Sequence, residues 1–306
     1  HKYDAANKRV YIACGSKSLG DTLAWFPYAL EFKKKHNCHL IVSTFWNKFF
    51  KNKYPELTFG EPGIEVPNLY AMYELGWYYD GETDILDKFK QPYDPKSFNL
   101  QQTATNILGL EYKEIIPKIE YKVKDRPCKE KYICISPHAS AGAKYWQHPT
   151  GWQDIIDYIN NTLKYKVLLI SHEGHNDSFH NSKLPGGKKL KNIVDFTGDH
   201  PIEDIMSIIH HSELYIGVSS GLAWLTWALN KPTLMISGFS SEWTEFSSKM
   251  TRIINKDVCN SCFNNHKLDA GDWDWCPSHK DTPRQFECTK KISPEIVIEG
   301  IISSLV

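Results

Sequence analysis

The sequence contains no long uninterrupted apolar run and no excess charge of either sign. The best candidate for a membrane span, residues 214–238, is interrupted by two serines, an asparagine, a lysine and a proline, so no membrane span is expected. Lys plus Arg equals Asp plus Glu, at 36 each, which excludes a general attraction to nucleic acid or anionic membranes. The first ten residues lack a charged segment followed by an apolar one, so we expect a cytoplasmic protein without a signal peptide.

The composition is that of a folded protein. The chain has 306 residues, of which 41% are hydrophobic, with ten Trp, sixteen Tyr and fourteen Phe. This is enough apolar material for a full core and excludes disordered and fibrous classes. The length suggests two domains.

Strand and helix patterns alternate along most of the chain. Short apolar runs predict strands at 9–13, 39–43, 132–136, 166–171, 214–218 and 233–237, and amphipathic patterns predict helices at 22–35, 152–163, 201–210 and 222–229. This spacing is typical of βαβ units, so the predicted class is α/β with a parallel sheet in each half. A polar segment, 122–131, divides the chain into predicted domains at 1–125 and 126–306, with a ligand expected in the cleft between them.

The loop Gly15–Asp21 lies between the first predicted strand and helix. Gly15 and Gly20 allow a ligand to approach the backbone closely, and the following helix start offers unpaired N–H groups. The spacing fits neither a Walker loop nor GxGxxG. Asp21 is interpreted either as a helix N-cap or first-turn acid, or as a base that takes a proton from an attacking hydroxyl.

Two further loops are candidate contacts for a diphosphate. Ser219, Ser220 and Gly221 join a buried strand to a helix, where exposed N–H groups bind anions, although serine caps at such turns are also common. Lys144 is the one cation between Lys131 and Lys164, and it lies among small residues. It is either a solvated surface lysine or a phosphate ligand.

Four cysteines are concentrated near the C-terminal end. Cys259, Cys262, Cys276 and Cys288 follow the pattern C-x2-C-x13-C-x11-C. Four thiolates complete a tetrahedral coordination sphere, which indicates a structural metal site over 259–288 and favours zinc on chemistry alone. Two disulfides or four free thiols are the alternatives.

The three loops together resemble a known enzyme family. The segments GSKSLGD, SPHASAGAKYW and GVSSGLAWLTWALNKPTLMISG are similar to signature regions of the heptosyltransferases that use ADP-heptose. The resemblance implies a GT-B fold of two Rossmann-like domains and an inverting transfer without a catalytic metal. It assigns Asp21 as the base, Lys144 as a donor contact and the start of the helix after Ser219–Gly221 as the diphosphate cradle. Glu173 matches a position near the donor ribose.

One sequence difference indicates which branch of this family the chain resembles more. The lipopolysaccharide-core members carry Asp-Thr-Gly where this chain has Ser219-Ser220-Gly221, so the donor sugar stays open. The Ser-Ser-Gly-Leu form and the four cysteines are more similar to the branch that transfers heptose to Ser or Thr hydroxyls of autotransporter adhesins. That similarity implies iron rather than zinc and a protein acceptor. A related enzyme with another nucleotide sugar or a glycan acceptor, and a non-catalytic metal-stabilised scaffold, are the alternatives; a homo-oligomer is compatible with the sequence.

Overall fold

The computed structural model describes residues 3–79, 85–172, 189–269 and 271–306, and these form two compact units. The first unit runs to Glu120 and includes Trp243–Ser247, whereas the second comprises Tyr121–Glu242 and Ser248–Val306. The domain boundary predicted between residues 125 and 126 stays a prediction. None of the helices in the described ranges is both long enough and apolar enough to cross a membrane.

The first unit is built on a parallel sheet. Its strands are β1 (Arg9–Cys14), β2 (His39–Ser43), β3 (Thr58–Gly60) and β4 (Ala71–Leu75), and its helices are α1 (Leu19–Trp25), α2 (Pro27–His36) and α3 (Leu100–Leu108). The strand order is β3-β2-β1-β4, and every pairing is parallel. The first parallel sheet expected from the alternating pattern is therefore confirmed.

The helix predicted over 22–35 is two helices. The first begins at Leu19 because the Ser18 side chain accepts a hydrogen bond from the Asp21 amide. Pro27 is the first residue of α2, where its missing N–H costs nothing. The prediction of one continuous helix was wrong because the amphipathic pattern continues across this break.

The second unit has a larger parallel sheet. Its strands are β5 (Tyr132–Ser136), β6 (Lys166–Ser171), β7 (Val194–Thr197), β8 (Leu214–Val218), β9 (Thr233–Ile236) and β10 (Met250–Ile253). Its helices are α4 (Gly151–Tyr158), α5 (Ile202–His211), α6 (Gly221–Ala228), α7 (Cys262–Asn265), α8 (Glu287–Lys290) and α9 (Pro294–Leu305). The strand order is β10-β9-β8-β5-β6-β7, again with parallel pairing throughout.

The centre of this second sheet positions the candidate site. Strands β5 and β8 are buried at every residue, so they form the interior of the unit. Strand β8 pairs with β5 on one side and with β9 on the other. Because all three are parallel, the loops that follow them emerge at the same edge of the sheet.

Candidate functional site

Asp21 lies in the first turn of α1, in the first unit. Ser18 is the N-cap, and Asp21 is the third helical residue, so the cap interpretation belongs to Ser18. The Ser16 hydroxyl donates a hydrogen bond of 2.7 Å to Asp21 Oδ2. Gly20 is buried and Asp21 half-buried, so the carboxylate is oriented by its own loop while solvent still reaches it.

The Asp21 carboxylate contributes to the raised pKa of Cys14, the last residue of β1. Burial, and then the negative charge of Asp21, raise the pKa of the Cys14 thiol to about 12. Cys14 is therefore a neutral thiol at physiological pH.

A second carboxylate, Glu74, lies beside the same loop, and the sequence analysis missed it. Glu74 is on β4, which pairs with β1. A methyl group at Gly15 would come within 2.8 Å of Glu74 Oε1, so glycine at position 15 makes room for this side chain. Burial and the Glu74 charge together raise the pKa of Tyr78. Glu74 lies in the stretch 51–81, which is rich in aromatic and turn-forming residues and has no clear strand or helix pattern.

Lys144 follows β5 in the second unit. The chain leaves the strand at Ser136 and forms a short 3₁₀ turn, Gly142–Lys144. Lys144 Nζ donates to Ser140 Oγ at 3.4 Å and lies 5.6 Å from the centroid of the Phe239 ring. Lys144 is half-buried as a residue, and its role as a phosphate ligand stays a prediction.

The turn Ser219–Gly221 follows β8, next to the loop that carries Lys144. Ser220 precedes α6 in extended conformation, and its side chain makes no capping bond within the described chain. Burial raises the pKa of Tyr215 to about 12, and the hydroxyls of Ser136 and Ser220 oppose that shift. Because the ends of β5 and β8 are neighbours, the structure brings the Lys144 loop and the α6 N-terminus to one edge of the sheet.

Glu173 lies outside the described residues. The strand before it, β6, ends at Ser171 as the sequence predicted. Its role near the donor ribose therefore stays a prediction.

The four cysteines of the C-terminal motif are near one another. The structure has all eight cysteines as free thiols, and the choice between a metal site, two disulfides and four free thiols stays a prediction. Burial, followed by the influence of the other three motif thiols, raises the pKa of Cys288 to about 12. Burial and a hydrogen bond to Glu287 raise the pKa of Cys259 to about 11.

The tightest metal-ligating group differs from the predicted set. Within the described part of the chain, three side chains hold their ligating atoms within 4.8 Å of one another, namely Cys259, His279 and Glu287. The His279 side chain is only 17% exposed, and its Nε2 lies 3.7 Å from Glu287 Oε1. The Arg284 guanidinium forms two hydrogen bonds with Glu287 and holds the pKa of its carboxyl at about 2.

The sequence is similar to known heptosyltransferases. Residues 92–270 match the model of glycosyltransferase family 9 (heptosyltransferase). The chain is 35% identical over 98% of its length to the autotransporter heptosyltransferase BAHTCr of Citrobacter rodentium, and covers 71% of that protein. It is 35% identical, again over 98%, to the autotransporter heptosyltransferase Aah of Escherichia coli, and covers 74% of it. The inactive autotransporter heptosyltransferase BimC of Burkholderia thailandensis is 30% identical over 99% of the chain and 70% of its own length.

Solved structures of heptosyltransferases are also similar to this chain. The iron-containing dodecameric glycosyltransferase TibC of enterotoxigenic E. coli matches with a TM-score of 0.86 and 31% identity, over 99% of this chain and 78% of TibC. TibC has also been crystallised with ADP-D-β-D-heptose. The ADP-heptose lipopolysaccharide heptosyltransferase II of E. coli shares the fold, with a TM-score of 0.60, 14% identity and coverage of 97% of this chain and 98% of its own.

Proposed function

Because this chain belongs to glycosyltransferase family 9 and has its GT-B fold class, we propose that it transfers heptose from ADP-heptose to a Ser or Thr hydroxyl of a protein acceptor resembling an autotransporter adhesin. The observation that carries the proposal is the convergence of the Lys144 loop and the α6 N-terminus at the ends of β5 and β8. A lysine loop and a helix N-terminus at one edge of a sheet suit a diphosphate.

The proposed reaction inverts the anomeric carbon. Asp21 accepts the proton of the acceptor hydroxyl, and the oxygen attacks the anomeric carbon on the face opposite ADP. The bond between that carbon and the diphosphate oxygen breaks, and its electron pair leaves with ADP. Lys144 and the N–H groups of α6 stabilise the charge that develops on the leaving diphosphate, so this step needs no catalytic metal.

Mass spectrometry of a candidate adhesin after incubation with ADP-heptose tests the transfer. We expect a mass increase of one heptose per modified Ser or Thr with the wild type, and none with Asp21→Asn. A panel of other nucleotide sugars and a glycan acceptor tests the related-enzyme alternative, which the missing carboxylate at Ser219–Gly221 favours. If wild type and Asp21→Asn both leave every nucleotide sugar intact, the chain is a non-catalytic scaffold, a possibility raised by the inactive relative BimC.

The donor site has its own test. A charge-assisted bond from Lys144 to the diphosphate is worth about 1.5–3 kcal/mol, so Lys144→Ala should weaken ADP binding tenfold or more while barely changing the melting temperature. Lys131→Ala is a matched control, because Lys131 Nζ also lies over an aromatic ring, 5.8 Å from the centroid of Tyr165. Lys131 precedes β5, so it lies at the opposite edge of the sheet from Lys144. Calorimetry giving equal affinities for Lys144→Ala and Lys131→Ala would contradict the assignment.

We propose that Cys259, Cys262, Cys276 and Cys288 hold one structural iron ion. The mutual influence of the thiols on the pKa of Cys288 supports a shared site, and thiolates suit both iron and zinc. TibC, which is 31% identical to this chain, contains iron, and this favours iron over zinc. Four thiolates leave no open coordination position, so the ion would supply structure and no reaction chemistry. His279→Ala should keep the metal, and loss of metal in that variant would favour the Cys259, His279 and Glu287 set instead.

We also infer a homo-oligomer, as TibC is described as dodecameric. Light scattering coupled to size-exclusion chromatography measures the number of chains directly. A monomer would contradict the inference. The cytoplasmic location stays a prediction.

A further inference from the structure

The ammonium of Lys144 lies over an aromatic ring that the sequence analysis did not single out. Phe239 is 5% exposed, and its ring centroid is 5.6 Å from Lys144 Nζ. The face of an aromatic ring attracts a cation, and the attraction strengthens when water is excluded. Lys144 Nζ also donates a hydrogen bond of 3.4 Å to Ser140 Oγ.

Phe239 is held in turn by the segment that contains the four cysteines. A methyl group at the preceding residue, Gly238, would come within 2.7 Å of Cys288 Cβ and 2.9 Å of its Sγ, so only glycine permits this close packing. The Ser261 N–H donates to the Gly238 carbonyl at 2.8 Å, and the Phe263 N–H donates to the Phe239 carbonyl at 3.0 Å. The backbone on both sides of the ring is thereby fixed to the motif.

The same segment also contacts the loop that carries Lys144. The Gly142 N–H donates to the Trp273 carbonyl at 3.2 Å, and a methyl group at Gly142 would come within 2.9 Å of that residue. One buried apolar cluster joins the two loops to the motif, and its members are Ala143, Phe239, Phe263, Trp275, Cys276 and Phe286. Both partners of the cation–ring pair are therefore anchored on one platform.

We propose that Phe239 is a positioning residue for Lys144, and that the cysteine segment, 259–288, sets the affinity for the donor diphosphate by holding this ring under the ammonium. The proposal rests on the proposed function, because it takes Lys144 as the diphosphate contact. A ring at this place limits the rotamers of a long flexible side chain before the ligand arrives, which reduces the entropy lost on binding. The motif is then part of the donor site as well as of the fold.

The first test replaces the ring and keeps the apolar volume. Phe239→Leu should weaken the binding of ADP about three- to tenfold by calorimetry, while Phe239→Tyr should restore wild-type affinity because it keeps the aromatic face. Phe32→Leu removes an equally buried ring from α2, outside the cysteine segment, so it is the matched control and should bind ADP as the wild type does. In a Lys144→Ala background, Phe239→Leu should produce no further loss, since the ring acts through the lysine.

The second test uses the metal content. Removal of the bound metal by a chelator, at a temperature where far-ultraviolet circular dichroism stays unchanged, should weaken ADP binding in the wild type by the factor seen for Phe239→Leu. The same treatment should have little effect on Phe239→Leu itself, because the positioning is already lost. Equal sensitivity of the two proteins to the chelator would overturn the link between the motif and the ring.

The outcomes separate this proposal from the proposed function. If Lys144→Ala loses ADP affinity and Phe239→Leu does not, the positioning role is overturned and the donor site stands. If neither variant loses affinity, the donor site itself is wrong, and the role of Phe239 is overturned with it. If Phe239→Leu and Phe239→Tyr lose affinity equally, the effect is one of packing and contradicts the proposal.

Discussion

At the residue scale, the cap of α1 and the carboxylate in its first turn are supplied by different residues, Ser18 and Asp21. Ser16 donates to the Asp21 carboxylate at 2.7 Å, and Ser18 caps the helix, so Asp21 does not have to serve as the cap. The dipole of α1 favours the ionised carboxylate that a general base requires. If Asp21 is the base, mutation can therefore separate its catalytic effect from the stabilising effect of the Ser18 cap.

We predict that Asp21→Ala lowers turnover by about 10²–10⁴-fold, the usual contribution of a positioned base, with donor affinity nearly unchanged. Its stability should fall by no more than about 1 kcal/mol, through the lost dipole interaction. Ser18→Ala is the contrasting variant: it should cost about 0.5–2 kcal/mol of stability through the lost cap and leave most activity. Measuring the turnover and the melting temperature of both variants distinguishes a catalytic role of Asp21 from a purely stabilising one. Full activity in Asp21→Ala would remove Asp21 from the mechanism.

At the element scale, helix α5 carries a pH-sensitive contact in its last turn. His210 Nδ1 lies 2.8 Å from the hydroxyl of Tyr121, which precedes the predicted domain boundary but packs in the second unit. Burial, and then the charges of His211 and Lys231, lower the pKa of His210 below its usual value. The folded protein therefore holds this imidazole neutral at pH values where the unfolded chain protonates it.

Because the pKa of His210 is lower in the folded protein than in the unfolded chain, the stability of the protein depends on pH. As the pH falls below about 6.5, the ordinary histidine value, the unfolded chain binds a proton before the folded protein does, and stability decreases until the folded pKa is reached. We predict that urea unfolding shows a smaller loss of stability between pH 7.5 and 5.5 for His210→Gln than for the wild type. Parallel pH profiles for the two proteins would show that His210 does not contribute.

At the scale of the whole molecule, the cysteine segment connects distant parts of the second unit. Its backbone bonds reach the loop after β9 through Gly238 and the loop after β5 through Gly142. A metal that binds only the folded arrangement of thiolates stabilises all of these contacts together. The global stability of the protein is therefore expected to depend on metal occupancy.

We predict that purified protein contains close to one iron ion per chain and that Cys276→Ser abolishes it. A ligand present at 100 times its dissociation constant stabilises the fold by about 2.7 kcal/mol, so this variant should lose about 3 kcal/mol or more, or be insoluble. Cys128→Ser is the matched control, because Cys128 is a half-exposed thiol outside the motif. Elemental analysis and thermal unfolding of both variants test this. Absence of both iron and zinc from the wild type would end the idea.

Local patterns were sufficient to predict the central strands. The structure has the bounds expected from the sequence for β2, β5, β6 and β8, because short, continuous apolar runs bounded by polar residues fit buried parallel strands. Strand β4 was missed, since most of its residues are exposed or half-exposed and its pattern carries no apolar run. The break at Pro27 and the capping by Ser18 were recoverable signals that the amphipathic pattern concealed.

The sequence by itself determined the α/β class, the two parallel sheets, the family and the cysteine motif, because each depends on residues that are near one another along the chain. Only the tertiary structure decided which side chains meet. Lys144 and Phe239 are 95 positions apart, and they come together because they follow strands separated in the sheet only by β8. Gly15 and Glu74 likewise meet through the pairing of β1 with β4. Such neighbours are set by strand order, which no local pattern encodes.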